Sequence, residues 1–259
     1  MKKAVVFTFA LIVSLFVSLT LGWAAELSGK EIVRRAREQE FPEKSEARVR
    51  MTLVDNRGWK RERHFTLMRK SIGKDTKIMI RFISPPDIRG TGYLINQTPG
   101  AEDEFYIYFP ATKKLRRVKS KEGSKSFMGS DFTNYDLKQR DIEEDTHKLL
   151  RTETVGGKDC YVVENIPKRP DEIGYSRTIS WIRRDIFVTQ KTDFYDREGR
   201  LLKQLLAEKV EKIEDLWTIT RSRMENIING HQTIMELEEI EFDSELPDSL
   251  FTKRELQKG

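Results

Sequence analysis

The body of this chain predicts a mainly β domain of the α+β class, on three observations. Apolar and polar residues alternate in run after run once Pro42 is passed, turn residues separate the runs, and one amphipathic helix precedes them. With 259 residues, 34% of them charged, the chain is long enough for one large β domain with a sizeable core.

A leader stands before that domain. Lys2 and Lys3 form a positive start, residues 4–21 are uncharged and largely apolar, and Gly22, Trp23 and Ala24 place small residues at −3 and −1 of a cleavage point. This is the layout of a cleavable secretory signal over residues 1–24, which leaves a mature domain of 25–259 and an address outside the cytoplasm. The alternative is an uncleaved inner-membrane anchor, since roughly 18 to 20 apolar residues can span a bilayer. Ser14, Ser18 and Thr20 weaken it. No cysteine follows the leader, so the chain is not itself expected to be lipidated there. Loss of Lys2 and Lys3 lowers the net charge from +5 to +3, a modest basic balance. Cys160 is the only cysteine, which excludes an internal disulfide, and its neighbours Tyr161, Val162 and Val163 predict a buried thiol.

The helix begins at Leu27, Ser28 and Glu31, where Ser28 is the N-cap, Glu31 its capping-box partner, and Leu27 staples against Ile32. Ile32, Val33 and Ala36 form one stripe, Arg34, Arg35, Arg37 and Glu38 face elsewhere, and Pro42 ends the helix. It is built to cover a sheet. Ala47, Val49, Met51 and Leu53 then alternate with Glu46, Arg48, Arg50 and Thr52, a strand with one wet face. The turn Asp55-Asn56-Arg57-Gly58 leads to a second run in which Trp59, Phe65 and Leu67 share a side. Further runs cover 75–83, 92–98, 104–109, 113–119, 142–154, 158–166, 174–184, 186–195, 201–212, 215–228 and 231–242.

Gly156-Gly157, Asp196-Arg197-Glu198-Gly199 and Asn229-Gly230 are hairpin turns, so sequential strands should pair antiparallel. Ten or more strands are too many for a flat open sheet, and this one should curl toward a barrel or part of one. The longest irregular stretch, 120–141, contains Ser126-Phe127-Met128-Gly129-Ser130-Asp131-Phe132, and a long insertion of this kind is more often functional than idle. The tail from Leu246 to Phe251 should fold its apolar residues back onto the sheet.

Catalytic chemistry finds little support. His64, His147 and His231 lack metal-ligand spacing, so no metal is expected. Arg89-Gly90-Thr91-Gly92 leads into a strand, which removes the phosphate-cradling geometry, and no Gly-x-Ser-x-Gly elbow occurs. The expectation is a protein without cofactor that is not an enzyme. Two features are unusual. Lys113, Lys114, Arg116, Arg117, Lys119, Lys121 and Lys125 crowd one stretch against the single acid Glu122, which fits either a solvated hairpin or contact with an anionic surface. Nucleic acid is not expected as a partner of an exported chain. The other feature is the strand aromatics Phe105, Tyr106, Tyr108 and Phe109, followed by Phe127, Met128, Phe132 and Tyr135 in the irregular stretch. They read either as core with a plug or as a greasy cavity, because the concave face of an unclosed sheet needs a helix, a loop or a ligand to cover it.

Pro85-Pro86-Asp87-Ile88-Arg89-Gly90-Thr91-Gly92, the strand ending in Phe109-Pro110, Arg116-Arg117 and the stretch from Ser126 to Phe132, in that order, resemble the outer-membrane lipoprotein-sorting protein family, the LolA-like periplasmic carriers. The resemblance spans the mature chain. It implies an unclosed antiparallel β half-barrel of about eleven strands, with the N-terminal helix and a short helical lid closing its mouth. It also implies a periplasmic carrier for lipid or lipoprotein acyl chains, with an inner-membrane transporter of the resistance-nodulation-division (RND) type and an outer-membrane acceptor as partners. On that reading Trp59, Phe105, Tyr106, Tyr108, Phe127, Met128, Phe132 and Tyr135 line the cavity and lid, and Arg89, Arg116, Arg117 and Lys119 contact head groups or membrane. An envelope module that senses lipid or peptide is the alternative, and a hydrolase on a β scaffold the third reading.

Overall fold

Ser28 accepts the amide of Glu31 at 3.2 Å, and from this cap helix α1 runs over Gly29–Glu40. The Glu31 carboxylate turns to Arg34 and Arg35 along the helix, which leaves the capping to Ser28 alone. This computed structural model describes residues 27–40, 42–119, 122–138 and 140–258, so the expected leader and Lys121 lie outside the described residues. Among the described residues no helix is long and apolar enough to cross a membrane.

The strands are β1 Lys44–Val54, β2 Lys60–Ile72, β3 Asp75–Ser84, β4 Gly92–Gln97, β5 Glu104–Phe109, β6 Lys114–Arg117, β7 Asp145–Val155, β8 Lys158–Pro167, β9 Arg177–Arg183, β10 Thr189–Tyr195, β11 Leu201–Ile213, β12 Leu216–Asn226 and β13 Gln232–Phe242. They form one antiparallel sheet in the order β6-β5-β4-β3-β2-β1-β13-β12-β11-β10-β9-β8-β7. Chain neighbours pair throughout except at two places: β13 closes onto β1 in the middle, and β6 and β7 stand at opposite edges. The sheet is therefore an unclosed half-barrel, as the sequence predicts. It has thirteen strands and not about eleven, because both charged edge runs, the four-residue β6 and the eleven-residue β7, find a ladder on β5 and β8.

Alternation sends Val49, Met51, Phe65, Ile80, Phe82, Tyr93, Ile95, Phe105 and Ile107 into one buried cluster on the concave side. On the other half, α1 places Ile32, Val33 and Ala36 against Val163 and Ile182. The helix enters this position at Gly29, where any Cβ would stand 2.7 Å from the backbone nitrogen of Leu149. The convex side of β3–β5 is covered by the C-terminal tail, a 3-10 turn at Asp248–Phe251 followed by α2 Lys253–Leu256. Leu246, Phe251 and Leu256 pack there on Met79, Leu94 and Tyr108. Gly92 makes room for this cover, since a side chain there would meet Leu256 at 2.6 Å. Cys160 is fully buried on β8, and burial raises its thiol pKa, as suits a core residue.

The run from β6 to β7 is the one connection that leaves the sheet edge and crosses the concave face. Of the short helical lid expected, its described residues hold a 3-10 turn at Ile142–Glu144. The rest is turns around an isolated bridge between Ser126 and Thr133. Ser126 Oγ donates to the carbonyl of Ser130 at 2.6 Å, and Asp136 accepts the amide of Thr133 at 2.7 Å, so short polar side chains take the backbone bonds that a helix would use.

Candidate functional site

Two chambers lie under the lid, on either side of Phe132 and Asp136. The first, about 400 Å³, is lined chiefly by carbon: Ala47, Val49, Phe65, Leu67, Ile78 and Ile80 from β1–β3, Phe127 and Leu137 from the lid, and Met235, Leu237, Ile240 and Phe242 from β13. Its origin is a splay in the sheet. β12 and β13 pair only over Arg221–Glu225 and Gln232–Glu236, while β13 continues along β1 to Phe242 and the other end of β12 follows β11. Leu216, Trp217, Thr218 and Ile219 on β12 thus face Leu237, Ile240 and Phe242 across the gap. A bulge between Arg48 and Val49 assists, because it lets Ile240 follow Leu237 onto the inner face three residues later. Two charged residues stand in this lining, Asp136 at the lid and Arg69 on β2. Arg69 is 6% exposed, and burial pushes its guanidinium down to about 10.

The second chamber, about 420 Å³, lies between α1 and β7–β12; Val33, Ile182, Phe194 and Leu205 share its lining with more polar and charged groups than the first chamber has, so it is the polar chamber of the two. His147 shares hydrogen bonds with Asn165 (2.7 Å) and the carbonyl of Ile142 (2.9 Å). Asn165 continues to Thr178 and Ser180, and Ser180 to Thr192, a ladder of neutral groups that satisfy one another. Arg140 pairs with Asp145 at 2.6 Å, and Arg37 donates to the carbonyl of Arg140.

The lid is held from both sides. The Phe127 ring is fully buried, with ring centroids 4.9 Å from Tyr93, 5.7 Å from Phe82 and 6.1 Å from Phe65. The Arg63 guanidinium donates to the carbonyl of Met128, whose left-handed backbone (φ 52°) precedes Gly129 (φ 73°). On the far side the Asp131 carboxylate engages His231 and Thr233, each at 2.7 Å. Lys203, 3% exposed, donates to the carbonyl of Asp131 and to Asp136, both at 2.8 Å. Its ammonium also lies over the rings of Tyr175 and Phe194, and Tyr175 in turn donates to Asp136 at 3.1 Å. At the start of the lid, hydrogen bonds from Lys125, the amide of Lys119 and Arg116 hold the Glu122 carboxyl down at about 2.

The residues expected at the site divide. Phe127 and Phe132 line the apolar chamber, Met128 packs against its cluster, and Phe105 stands behind it against Tyr93. Tyr135 belongs to the polar chamber, where Arg140 lies over its ring and burial raises its phenol to about 12. Tyr106 and Tyr108 are a correction: they point to the convex face under the C-terminal tail, because on β5 the concave positions are Phe105 and Ile107. Trp59 is another. It closes the β1–β2 turn and is 77% exposed, far from any cavity lining. The basic residues line neither chamber: Arg89 donates to the carbonyl of Ile83, Arg116 pairs with Glu122, Arg117 with Glu102, and exposed Lys119 holds Glu122 through its amide. Sequence reasoning missed Arg69 and the β12–β13 lining. A charged residue in phase with Phe65 and Leu67 was the signal for the first, and the alternation Met235, Leu237 followed by a skip to Ile240 for the second.

The open antiparallel half-barrel matches LolA-like folds. A LolA superfamily protein from Nitrosomonas europaea superposes with a TM-score of 0.72 at 21% identity, over 89% of this chain and 100% of its own, and shares the fold. Two others are nearer in sequence. A DUF1329 family protein from Desulfovibrio piger is 31% identical over 88% of this chain and 97% of its own, with a TM-score of 0.84. A protein from Vibrio parahaemolyticus described as an outer membrane lipoprotein-sorting protein domain is 28% identical over 88% and 98%, with a TM-score of 0.83. A family model whose description reads "Uncharacterized protein" matches residues 74–258. Curated proteins gave no match. The chain belongs to the DUF1329 family, whose Desulfovibrio piger member it matches along nearly its whole length; it is similar to the outer membrane lipoprotein-sorting protein domain and has a LolA-like fold.

Proposed function

We propose that this protein is a periplasmic carrier that holds a lipid, or the acyl chains of a lipoprotein, in its apolar chamber and delivers them toward the outer membrane. The observation that carries this reading is the roughly 400 Å³ apolar chamber opened by the β12–β13 splay and capped by Phe127 and Phe132. Each methylene buried there stabilises the complex by about 0.8 kcal/mol, so a long chain binds firmly without any covalent step. Release then requires the lid to shift, and its hydrogen bonds to Arg63, His231, Thr233 and Lys203 are the contacts that a partner would exchange. Arg69 is placed to meet an acidic head group as the chain enters. No catalytic role is assigned to any residue.

The printed description of the Vibrio parahaemolyticus domain supports lipoprotein sorting as the class of task. Export by the leader of residues 1–24, which frees a domain of 25–259, supplies the compartment. The family resemblance adds an RND-type transporter in the inner membrane and an acceptor in the outer membrane as partners. The test is purification from the envelope without detergent, followed by native mass spectrometry and uptake of a fluorescent fatty acid. A bound lipid and saturable uptake are the expected outcome, and a protein that carries nothing and takes up nothing would defeat the proposal. In-envelope crosslinking tests the partners: a carrier is recovered with proteins of both membranes, a sensing module with one.

A further inference from the structure

Three of the seven exposed large apolar side chains among the described residues, including the two most exposed, gather at one end of the half-barrel. Trp59 (77% exposed) closes the β1–β2 turn, and Ile227 (41%) and Ile228 (65%) lie in the β12–β13 turn. Because β1 pairs with both β2 and β13, the two turns project side by side: Val54 faces Lys60 on one flank and Gln232 on the other. A Cβ built on Gly230 would lie 3.7 Å from Asn56. Both tips are stiff. The Asp55 carboxylate accepts the amides of Arg57 and Trp59, each at 2.9 Å, and Asn226 accepts those of Ile228 and Asn229 at 3.0 and 3.3 Å.

Around the apolar tip stand Arg57, Lys60 and Arg61, all exposed, and among the described residues none of them has a carboxylate partner. The acids of the same hairpin are occupied, Asp55 in its own turn and Glu62 by His64 at 3.0 Å. We infer that these paired hairpin tips dock the protein on an anionic lipid bilayer, with Trp59, Ile227 and Ile228 in the interface and Arg57, Lys60 and Arg61 on the lipid phosphates. A tryptophan with one apolar body and one N–H suits the head-group boundary, and basic neighbours add attraction to anionic lipid. A protein partner fits less well, since three side chains on a narrow projection fall short of the ~800 Å² per partner of a specific interface. The placement also matters for the lid. Arg63, which bonds Met128, follows Trp59 by four residues, and His231, which bonds Asp131, follows Ile228 by three. Docking thus presses on the two hairpins that hold the lid.

The test uses the chain from residue 25, which contains every strand and cover described above; the apolar leader is omitted because it would itself enter vesicles. Sedimentation with vesicles of phosphatidylcholine, with and without phosphatidylglycerol, reads the binding. We expect binding to the phosphatidylglycerol vesicles that weakens at least tenfold in the double variant Trp59→Ser, Ile228→Ser, and similarly in Arg57→Glu, Lys60→Glu or in high salt. These sites are exposed, so the thermal midpoint should stay unchanged. Absence of binding to the anionic vesicles overturns the inference, as does binding that survives both double variants. A dimer that Trp59→Ser dissociates would overturn it too, in favour of self-association. A chamber-blocking variant, Leu237→Trp, should dock like the wild type, so the failure of this inference and the failure of the carrier reading are separable.

Discussion

The half of the concave face built by β13 and β1–β5 and the half built by β7–β12 share one curved sheet and one lid, yet the second carries far more polar and charged side chains among its apolar ones. The first presents Phe65, Ile80, Met235 and Leu237 and has one buried charge, Arg69. The second presents a ladder of Asn165, Thr178, Ser180 and Thr192 whose members already satisfy one another. Curvature alone therefore does not make a binding site. An apolar concavity needs something to cover it, and the lid supplies Phe127, Phe132 and Leu137 before the splay leaves room for more. A self-satisfied polar wall exerts no such demand. On the proposed reading acyl chains occupy the first chamber, while the lid is anchored beside the second through Lys203, Tyr175 and Asp136.

Substitutions on the two sides should separate these roles. Phe127→Ala removes the ring that plugs the apolar side and should cost about 4 kcal/mol in urea unfolding, while it enlarges the chamber. Lys203→Ala strands the Asp136 carboxylate on the polar side, with a cost of about 3 kcal/mol and faster proteolysis within 122–138 as the lid loses its anchor. Leu237→Trp fills the apolar chamber from its half-buried wall and should weaken fatty-acid uptake at least tenfold, whereas Ser180→Ala, in the polar chamber, should leave it within twofold. The smallest effect is in pH. Glu122 titrates at about 2 in the folded chain against an ordinary 4.5, so its hold on Lys125, Lys119 and Arg116 is complete above pH 4.5 and fades as pH falls toward 2. Amide protection at the start of the lid, taken relative to the intrinsic exchange rate at each pH, should fall over that window, and Glu122→Gln should abolish the change.

Much of this arrangement could be read from residue order. Apolar runs and the turns between them placed the strands, though about eleven were expected where thirteen form, and the length and composition of the stretch around Ser126–Phe132 marked the lid, because a segment without a period has to be held by something other than a ladder. The faces of β5 were harder. Period two says that Tyr106 and Tyr108 share a side, but which side is concave depends on sheet curvature, and the C-terminal tail supplied a second apolar cover for the other face. Trp59 stayed out of the strand because the Asp55 turn runs through it. The splay of β12 from β13 left no local signal at all. It arises between strands and is set by bulges such as those around Lys209 on β11 and between Arg48 and Val49 on β1. The basic run of residues 113–125 was visible as charge, while the partners that neutralise Arg116 and Arg117, Glu122 and Glu102, come together only in the fold.

The chamber assignment is open to direct mapping with a photoactivatable fatty acid crosslinked to the purified protein and located by peptide mass spectrometry. Adducts on Met235, Leu237, Ile240 and the lid residues Phe127 and Phe132, lost in Leu237→Trp, are the result that the apolar chamber predicts. Adducts on Asn165, Thr178, Ser180 or Thr192 in the polar chamber, or labelling that Leu237→Trp leaves intact, would contradict it.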